Sequence, residues 1–277
     1  MSNSQVTVII PTFNRKELLK TSLNSVLSQT HPSSIIIVDH GSTDGTKEMM
    51  KQYQPEVNYI RREEDLGIHF NWLEGLLSAD TEYVKILFDD DVIKPNYLKE
   101  CLKLFNPEVG FVFSRCNTID LDSLTQFDDL FDYDKGTGVY RISSFFGYRV
   151  TKQLISPSAL IMRRKDAIDA LYQGALPLQN CTYRGVGPDH FIKLINCLRY
   201  PKFGYVQETL VTFGVHDGSI TINASKEKES RIRLQKAYKD VLDYYLRLSL
   251  IYHKNKFLSY FFYRFLGALR NIFKHSL

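Results

Sequence analysis

Short apolar runs rich in β-branched residues alternate with helix-like segments through the first part of the chain, and this alternation constrains the fold more than any other feature. Val6-Thr7-Val8-Ile9-Ile10 and Ile35-Ile36-Ile37-Val38 are two such runs. A continuous β-branched run fits a strand buried on both faces, because stiff side chains pack well on a pleated surface. Strands of that kind, joined through helices by short turns, form a mostly parallel, doubly wound α/β sheet.

The punctuation fills in the order. Pro11 ends the first strand, and Asn14 can cap a helix, with Glu17 three residues later and Leu18, Leu19, Ser22, Leu23, Val26 and Leu27 at helical spacing. His31-Pro32 stops that helix, and the second strand runs into the turn cluster Asp39-His40-Gly41-Ser42-Thr43-Asp44-Gly45. Residues 57–61 read as a third strand, 71–78 as a short helix, and 83–88 as a fourth strand leading straight into Asp89-Asp90-Asp91. A helix follows Pro95 to about residue 105, and residues 110–113 are a fifth strand. Residues 120–135 are acidic and turn-rich, which predicts a long loop beside the site. Segments 153–163, 191–198 and 205–215 read as further pieces of the same domain. From Lys226 the sequence turns helical and basic, so residues 1–225 are expected to form one α/β domain and 226–277 a basic amphipathic helical extension.

Bulk properties exclude several classes. A length of 277 residues is ample for one sizeable core, and a net charge of +4 gives no reason to expect a nucleic-acid partner. The four cysteines, Cys101, Cys116, Cys181 and Cys197, lack CxxC or zinc-ligand spacing and read as reduced thiols. The polar first residues and the short run after them do not make a signal peptide, and no apolar stretch reaches the ~20 residues that span a bilayer. A cytoplasmic location is the expectation.

In open α/β sheets, ligands bind beyond the carboxyl ends of the strands. Three such ends carry suggestive groups: Pro11-Thr12-Phe13-Asn14, Asp39 to Asp44, and the Asp triplet. An isolated Asp at a strand end, such as Asp44, is equally a turn former or helix cap. Three adjacent carboxylates repel one another, and a hard divalent cation that also carries diphosphate oxygens offsets such repulsion. A solvated acidic turn is the plain alternative.

The stretch Val8 to Arg15, then Ile37 to Thr46, then the Asp triplet with Pro95, resembles the family 2 inverting glycosyltransferases with the GT-A fold, over roughly residues 5–220. The resemblance implies a UDP- or dTDP-sugar donor, Mn²⁺ or Mg²⁺, and transfer of the sugar to a glycan or lipid-linked acceptor in cell-surface polysaccharide synthesis. It implies that Phe13 packs on the nucleotide base with backbone contacts from Pro11 and Thr12, and that Asp39 accepts the base imide N–H. Asp89 matches a ribose-contacting position, Asp90 a metal ligand, and Asp91 a neighbouring ligand. Phe88 stands where the family often has a first Asp, and His40 replaces a frequent Asp.

An inverting transfer also needs a base on the acceptor side of the anomeric carbon. Gly185-Val186-Gly187-Pro188-Asp189-His190-Phe191 resembles the acidic motif that opens the family's acceptor-side helix, making Asp189 the candidate base. A carboxylate stabilised by the helix dipole is its plain alternative. Phe213-Gly214-Val215-His216 resembles a later motif whose histidine reaches metal or diphosphate, with Gly214 where an Arg is common. A hydrogen-bonded structural histidine is the alternative for His216, and a surface-loop histidine for His69, which the resemblance sets beside the donor. Ser156-Pro157-Ser158-Ala159 resembles the acceptor-side strand.

Beyond residue 253, aromatic and aliphatic residues interleave with Lys254, Lys256, Arg264, Arg270 and Lys274. Such a helix suits peripheral contact with an anionic membrane, or packing on the domain or a second subunit. Two other function classes compete: a sugar nucleotidyltransferase, which needs a glycine-rich phosphate loop absent from Pro11 to Arg15, and an inactive nucleotide-sugar-binding homologue.

Overall fold

A computed structural model of the chain describes residues 5–147, 155–171, 187–217, 219 and 227–252. Its strands are β1 (Val6–Thr12), β2 (Ser34–His40), β3 (Asn58–Arg62), β4 (Tyr83–Ile86), β5 (Val92–Ile93), β6 (Val109–Asp120), β7 (Gln126–Leu130), β8 (Gly138–Arg141), β9 (Leu160–Arg163) and β10 (Lys202–Val215). The helices are α1 (Lys16–Leu27), α2 (Thr46–Met50), α3 (Ile68–Ser78), α4 (Tyr97–Leu102), α5 (Ile142–Gly147), α6 (Arg164–Leu171), α7 (Pro188–Arg199) and α8 (Lys228–Tyr252).

One sheet runs in the order β3-β2-β1-β4-β9-β6-β10-β5, with β7 beside β6 and β8 beside β10. β3, β2, β1 and β4 are parallel neighbours, and β6 and β10 are also parallel. β9 joins these two groups by pairing antiparallel with β4 and with β6, so the sheet is mixed about a parallel half. From β1 the chain builds outward through β2 and β3, then returns to place β4 on the other side of β1. Strand order therefore reverses between β1 and β4, where a doubly wound sheet leaves a crevice for ligand.

The core is a direct consequence of the β-branched runs. All seven residues of β1 are buried, and each fully buried Val or Ile side chain contributes about 1.5–3 kcal/mol. Leu19, Ser22, Leu23 and Val26 give α1 its buried stripe. On α3, Gly75 lies so close to the sheet that a Cβ there would run into Ile9 and Val38. The mixed half is filled by aromatic rings, with Phe111, Phe113, Phe145 and Phe203 in mutual contact. Cys101, Cys116 and Cys197 are buried free thiols, while Cys181 lies outside the described residues.

Several local expectations change. β1 runs through Pro11 to Thr12, because a proline near a strand end forfeits one N–H but keeps its carbonyl as an acceptor. Asn14 does not cap α1: it sits at φ 52°, and its Oδ1 accepts the Thr43 N–H at 2.7 Å, tying the β1–α1 turn to the β2–α2 turn. The Lys16 N–H at the start of α1 donates instead to Asp44 at 2.8 Å, and Asp44 also accepts from Thr46, so Asp44 is a cap. The loop expected over 120–135 contains β7, which pairs antiparallel with an extended β6. Asp120 turns that hairpin by accepting the N–H groups of Asp122 and Ser123. α8 packs Leu234, Ala237, Val241 and Tyr245 inward, and Tyr244 meets Phe191 of α7 at 5.2 Å between ring centroids. No described helix is long and apolar enough to cross a membrane.

Candidate active site

The reversal between β1 and β4 places the ends of both strands side by side. The Thr12 hydroxyl donates to Asp89 Oδ2 at 2.8 Å. Arg15, at the mouth of α1, sets Nη1 3.0 Å from Asp89 Oδ1 and 3.2 Å from Asp90 Oδ2. From the end of β10, His216 Nε2 comes within 3.3 Å of that same Asp90 oxygen. Asp89 is buried, and burial raises its carboxyl to about 6 against the opposing pull of the Arg15 charge. Asp90 and His216 keep side-chain exposures of 15% and 16%, enough for a ligand to reach them.

The other end of this edge lies on β2. Thr12 and Asp39 are register partners. Asp39 is fully buried, with Oδ1 accepting the Ser42 N–H at 2.9 Å and Oδ2 accepting the Tyr59 hydroxyl at 2.5 Å. Burial and the hydrogen bond to Asp39 push the Tyr59 hydroxyl well above its usual range, so it remains a donor. Pro11 is buried, and the Phe13 ring is 45% exposed at the rim. Phe13, Asp39, Asp89 and Asp90 are thus gathered at one edge of the sheet.

Beneath this edge lies a floor of enclosed polar groups. Asp91 is buried and accepts the Gly214 N–H at 3.1 Å, and the neighbouring Ser158 hydroxyl favours its charged form. Burial, then the adjacent Asp90 charge, hold the Asp91 carboxyl well above the usual range. It braces the turn, which leaves Asp90 as the partly exposed member of the triplet. Ser158 Oγ also accepts the Phe88 N–H at 2.9 Å, and the Ser158 carbonyl accepts from Lys85 Nζ. Lys85 is fully buried, lies 4.2 Å over the Tyr97 ring, and is lowered to about 7 by that burial. Gly214 has no room for a side chain, because a Cβ would collide with the Asp90 carbonyl. That close approach accounts for glycine at this position.

Asp189 lies in the first turn of α7, and its Oδ1 accepts the N–H groups of Gly187 and His190, each at 2.8 Å. The described contacts do not bring it against the Asp triplet. On the same helix, Lys193 Nζ donates to the Ile155 carbonyl at 3.1 Å. His40 is buried, with Nε2 3.2 Å from Glu74 Oε2, and Glu74 also accepts from Arg62. His69 is not a surface-loop residue. It opens α3, its Nε2 is enclosed, and its ring leans on Trp72, which stacks on Phe88 at 5.4 Å.

Sequence reasoning passed over Arg15, Lys85 and Lys193. Only Arg15 had a visible signal, a cation directly after the strand-end turn. Among the described residues no group of three or more His, Cys, Asp and Glu side chains is arranged to hold a metal ion. The pair Asp90 and His216 offers one carboxylate oxygen and one imidazole nitrogen at an accessible position. That pair fits an ion completed by substrate, since Mg²⁺-type ions often take one or two protein groups and fill the rest with phosphate oxygens and water.

Comparison with known proteins agrees with this architecture. Over 113 residues the chain is 34% identical to a putative teichuronic acid biosynthesis glycosyltransferase of Bacillus subtilis, covering 39% of this chain and 44% of that protein. Over 117 residues it is 30% identical to a GalNAc(5)-diNAcBac-PP-undecaprenol beta-1,3-glucosyltransferase of Campylobacter jejuni, covering 40% and 38%. The matched stretches thus span less than half the length of these relatives. The crystal structure of S. aureus TarS residues 1–349 with UDP-GlcNAc superposes with a TM-score of 0.64 at 17% identity, covering 91% of this chain and 67% of that one. This likeness identifies the fold as GT-A-like. The family description "Glycosyl transferase family 2" matches residues 7–167, more than half of the chain, and the protein belongs to that family.

Proposed function

We propose that this protein transfers a sugar from a UDP- or dTDP-sugar to a hydroxyl of a glycan or lipid-linked acceptor, with inversion at the anomeric carbon, in the synthesis of a cell-surface polysaccharide. The observation that carries the proposal is the convergence of Thr12, Arg15 and His216 on Asp89 and Asp90 at the strand-order reversal. The names of the relatives, teichuronic acid biosynthesis and an undecaprenol-linked glycan, support the polymer and the lipid-linked acceptor.

In this reading Phe13 offers its exposed ring to the base. Asp39 is fixed by Ser42 and Tyr59, and it retains lone pairs for an imide N–H, since an ionised carboxylate has about four acceptor sites. Pro11 and Thr12 line the approach, and Asp89 receives the ribose. Asp90 and His216 would hold a Mn²⁺ or Mg²⁺ ion, which when bound would supply charge neutralisation for the departing diphosphate. Arg15 lies beside the same carboxylates and can turn its guanidinium to phosphate oxygens, the task of the arginine that Gly214 displaces. Asp91 supports Asp90 from below. Asp189 takes the proton of the acceptor hydroxyl as that oxygen forms its bond to the anomeric carbon and the bond to the diphosphate breaks.

Residues 1–225 hold this chemistry. The segment beyond residue 253, outside the described residues, contacts an anionic membrane from the cytoplasmic side, where a lipid-linked acceptor lies.

A panel of UDP- and dTDP-sugars with MnCl2 tests the proposal. A ligand that binds only the folded state raises the melting temperature. The expected result is stabilisation by one nucleotide sugar, with nucleotide released faster in the presence of metal. Asp189→Asn should lower that release by ~10² or more while leaving donor binding in place. Stabilisation by no nucleotide sugar, with or without metal, would sink it.

A further inference from the structure

β4 loses the support of one neighbour before the Asp triplet begins. On one side it runs beside β1, and the Leu87 N–H still donates to the Ile9 carbonyl at 2.9 Å. On the other side its pairing with β9 covers Tyr83 and Val84 alone among the described residues. Past that point two groups reach one residue, Ser158, just ahead of β9. Lys85 Nζ donates to the Ser158 carbonyl, and the Phe88 N–H donates to the Ser158 hydroxyl at 2.9 Å. A grip at both ends of Ser158 thus takes over where the backbone ladder stops. Lys85 and Ser158 are both fully buried, and the Lys85 ammonium lies 4.2 Å over the Tyr97 ring of α4. The segment that carries Ser158 has a second anchor, because Lys193 of α7 donates to the Ile155 carbonyl at 3.1 Å.

We propose that Lys85 is a positioning residue for the turn that presents Asp90: by fixing Ser158 against the end of β4, it sets where the Asp triplet leaves the strand. This inference rests on the reading of Asp90 as a residue that holds the divalent ion. Phe88 is the point from which the turn hangs. Its carbonyl accepts the Asp91 N–H at 3.1 Å and the Ser22 hydroxyl at 3.2 Å, while its N–H is held by Ser158. Asp89 and Asp90 lie inside that turn, so a shift of Phe88 moves both. Sites of this kind lose function when their supports slacken by as little as ~0.5 Å. A lysine is seldom buried, and taking an ammonium out of water is costly unless close partners offset it. Here the partners are a carbonyl and an aromatic face. Methionine has much the same length and would fill the same space, so what lysine adds is the grip on Ser158. With Lys193 holding the other end, loss of that grip leaves the segment in place and is felt at Phe88.

Hydrogen exchange at the Phe88 amide reads the grip directly and needs no ligand. Lys85→Met should speed that exchange about tenfold while the amides of β1 keep their protection. Val84→Ala is the control: it hollows the same strand at a position paired with Met162, and it should lower the melting temperature without changing exchange at Phe88. In melting against MnCl2 at fixed UDP, Lys85→Met should need about tenfold more Mn²⁺ for the same shift, the size expected when support behind a ligand is lost. Val84→Ala should leave that midpoint where it is. Unchanged exchange at Phe88 in Lys85→Met, or an equal increase in Val84→Ala, overturns the proposal, and so does an unmoved Mn²⁺ midpoint. Should Lys85→Met fail to fold, Lys85→Gln is read in its place. It keeps an N–H donor one atom short of the carbonyl, so exchange about threefold faster is expected, and no increase overturns the proposal. If MnCl2 and UDP leave the native melting temperature unmoved, the donor-site reading of Asp90 fails, and the exchange arm still decides whether Lys85 fixes the turn.

Discussion

His216 Nε2 lies 3.3 Å from Asp90 Oδ2, joining side chains 126 positions apart in the chain. The contact spans the sheet from β4 to the end of β10, and Arg15 approaches the same oxygen from α1. One accessible carboxylate thus collects groups from two other elements. If Asp90 and His216 hold a divalent ion, Asp90→Ala should abolish the rise in melting temperature caused by MnCl2 with UDP, and His216→Ala should weaken it about tenfold. Neither change should cost much stability without ligand, because both side chains are partly exposed. The measurement is melting against MnCl2 concentration at fixed UDP; an undiminished shift in Asp90→Ala would remove Asp90 from the metal site.

Arg15 makes a separate prediction possible. Its guanidinium neutralises Asp89 and Asp90 in the absence of ligand, and in the proposed complex it turns to phosphate. Arg15→Gln should weaken binding of UDP about tenfold through loss of a charge-assisted hydrogen bond. The same variant should bind Mn²⁺ alone more tightly, since two carboxylates lose their built-in counter-charge. Calorimetric titrations with UDP and with MnCl2 give the two signs independently.

Gly214 tests the floor of the site. A Cβ at this position would meet the Asp90 carbonyl and the Leu121 side chain, so even Gly214→Ala must displace the turn that carries the triplet. The expected cost is about 1–3 kcal/mol, read as a lower urea midpoint, with metal-dependent turnover falling further than stability alone explains. Gly214→Arg should be worse than alanine, not better.

What could be read from the sequence follows from how local each signal is. β1, β2 and β4 are buried on both faces, so their apolar runs announce strands directly, and the Asp triplet announces a strand end. β7 is different: Gln126 and Phe127 are exposed, with no apolar alternation to mark a strand, and its pairing depends on how far β6 extends. Asn14 carries a helix-cap signature, yet its side chain bonds Thr43 because two turns adjacent in space compete for it. The contact of Arg15 with Asp89 requires that β4 return beside β1, and the contact of Tyr238 with His190 requires α8 to lie on α7. Neither adjacency is written within a window of sequence. Gly214 was visible only as a missing arginine; the reason it must be glycine is the Asp90 carbonyl, in the turn after β4.

His69 should make stability depend on mild acid. Its ring is largely enclosed against Trp72, and burial holds its imidazole below the ordinary value. A histidine with a lowered folded value binds fewer protons when folded than when unfolded. Stability is therefore complete above the unfolded value of about 6.5 and declines as pH falls below it. His69→Phe should keep the ring contact and remove that dependence. Comparing melting temperatures from pH 7.5 to 5.0, the native chain should fall more steeply than His69→Phe; parallel curves would show that other groups govern the acid side.

Two truncations separate the roles of the C-terminal residues. Leu234, Ala237, Val241 and Tyr245 of α8 are buried, and burying the larger of these is worth about 1.5–3 kcal/mol each. Removing everything after residue 226 should therefore expose the face of α7 that bears Phe191, lower the melting temperature by many degrees and promote aggregation. Removing only the residues after 252 takes away the five cations from Lys254 to Lys274 and the aromatic residues among them, while sparing every buried residue of α8. If that segment serves as a membrane contact, its basic residues supply about 1 kcal/mol each at an anionic surface, an attraction that salt weakens. The chain ending at Tyr252 should then melt as the full chain does, but fail to float with vesicles containing phosphatidylglycerol at low salt. Should the shorter cut lower the melting temperature as much as the longer one, the segment is a packing element. Flotation retained without it would place the membrane contact elsewhere on the protein.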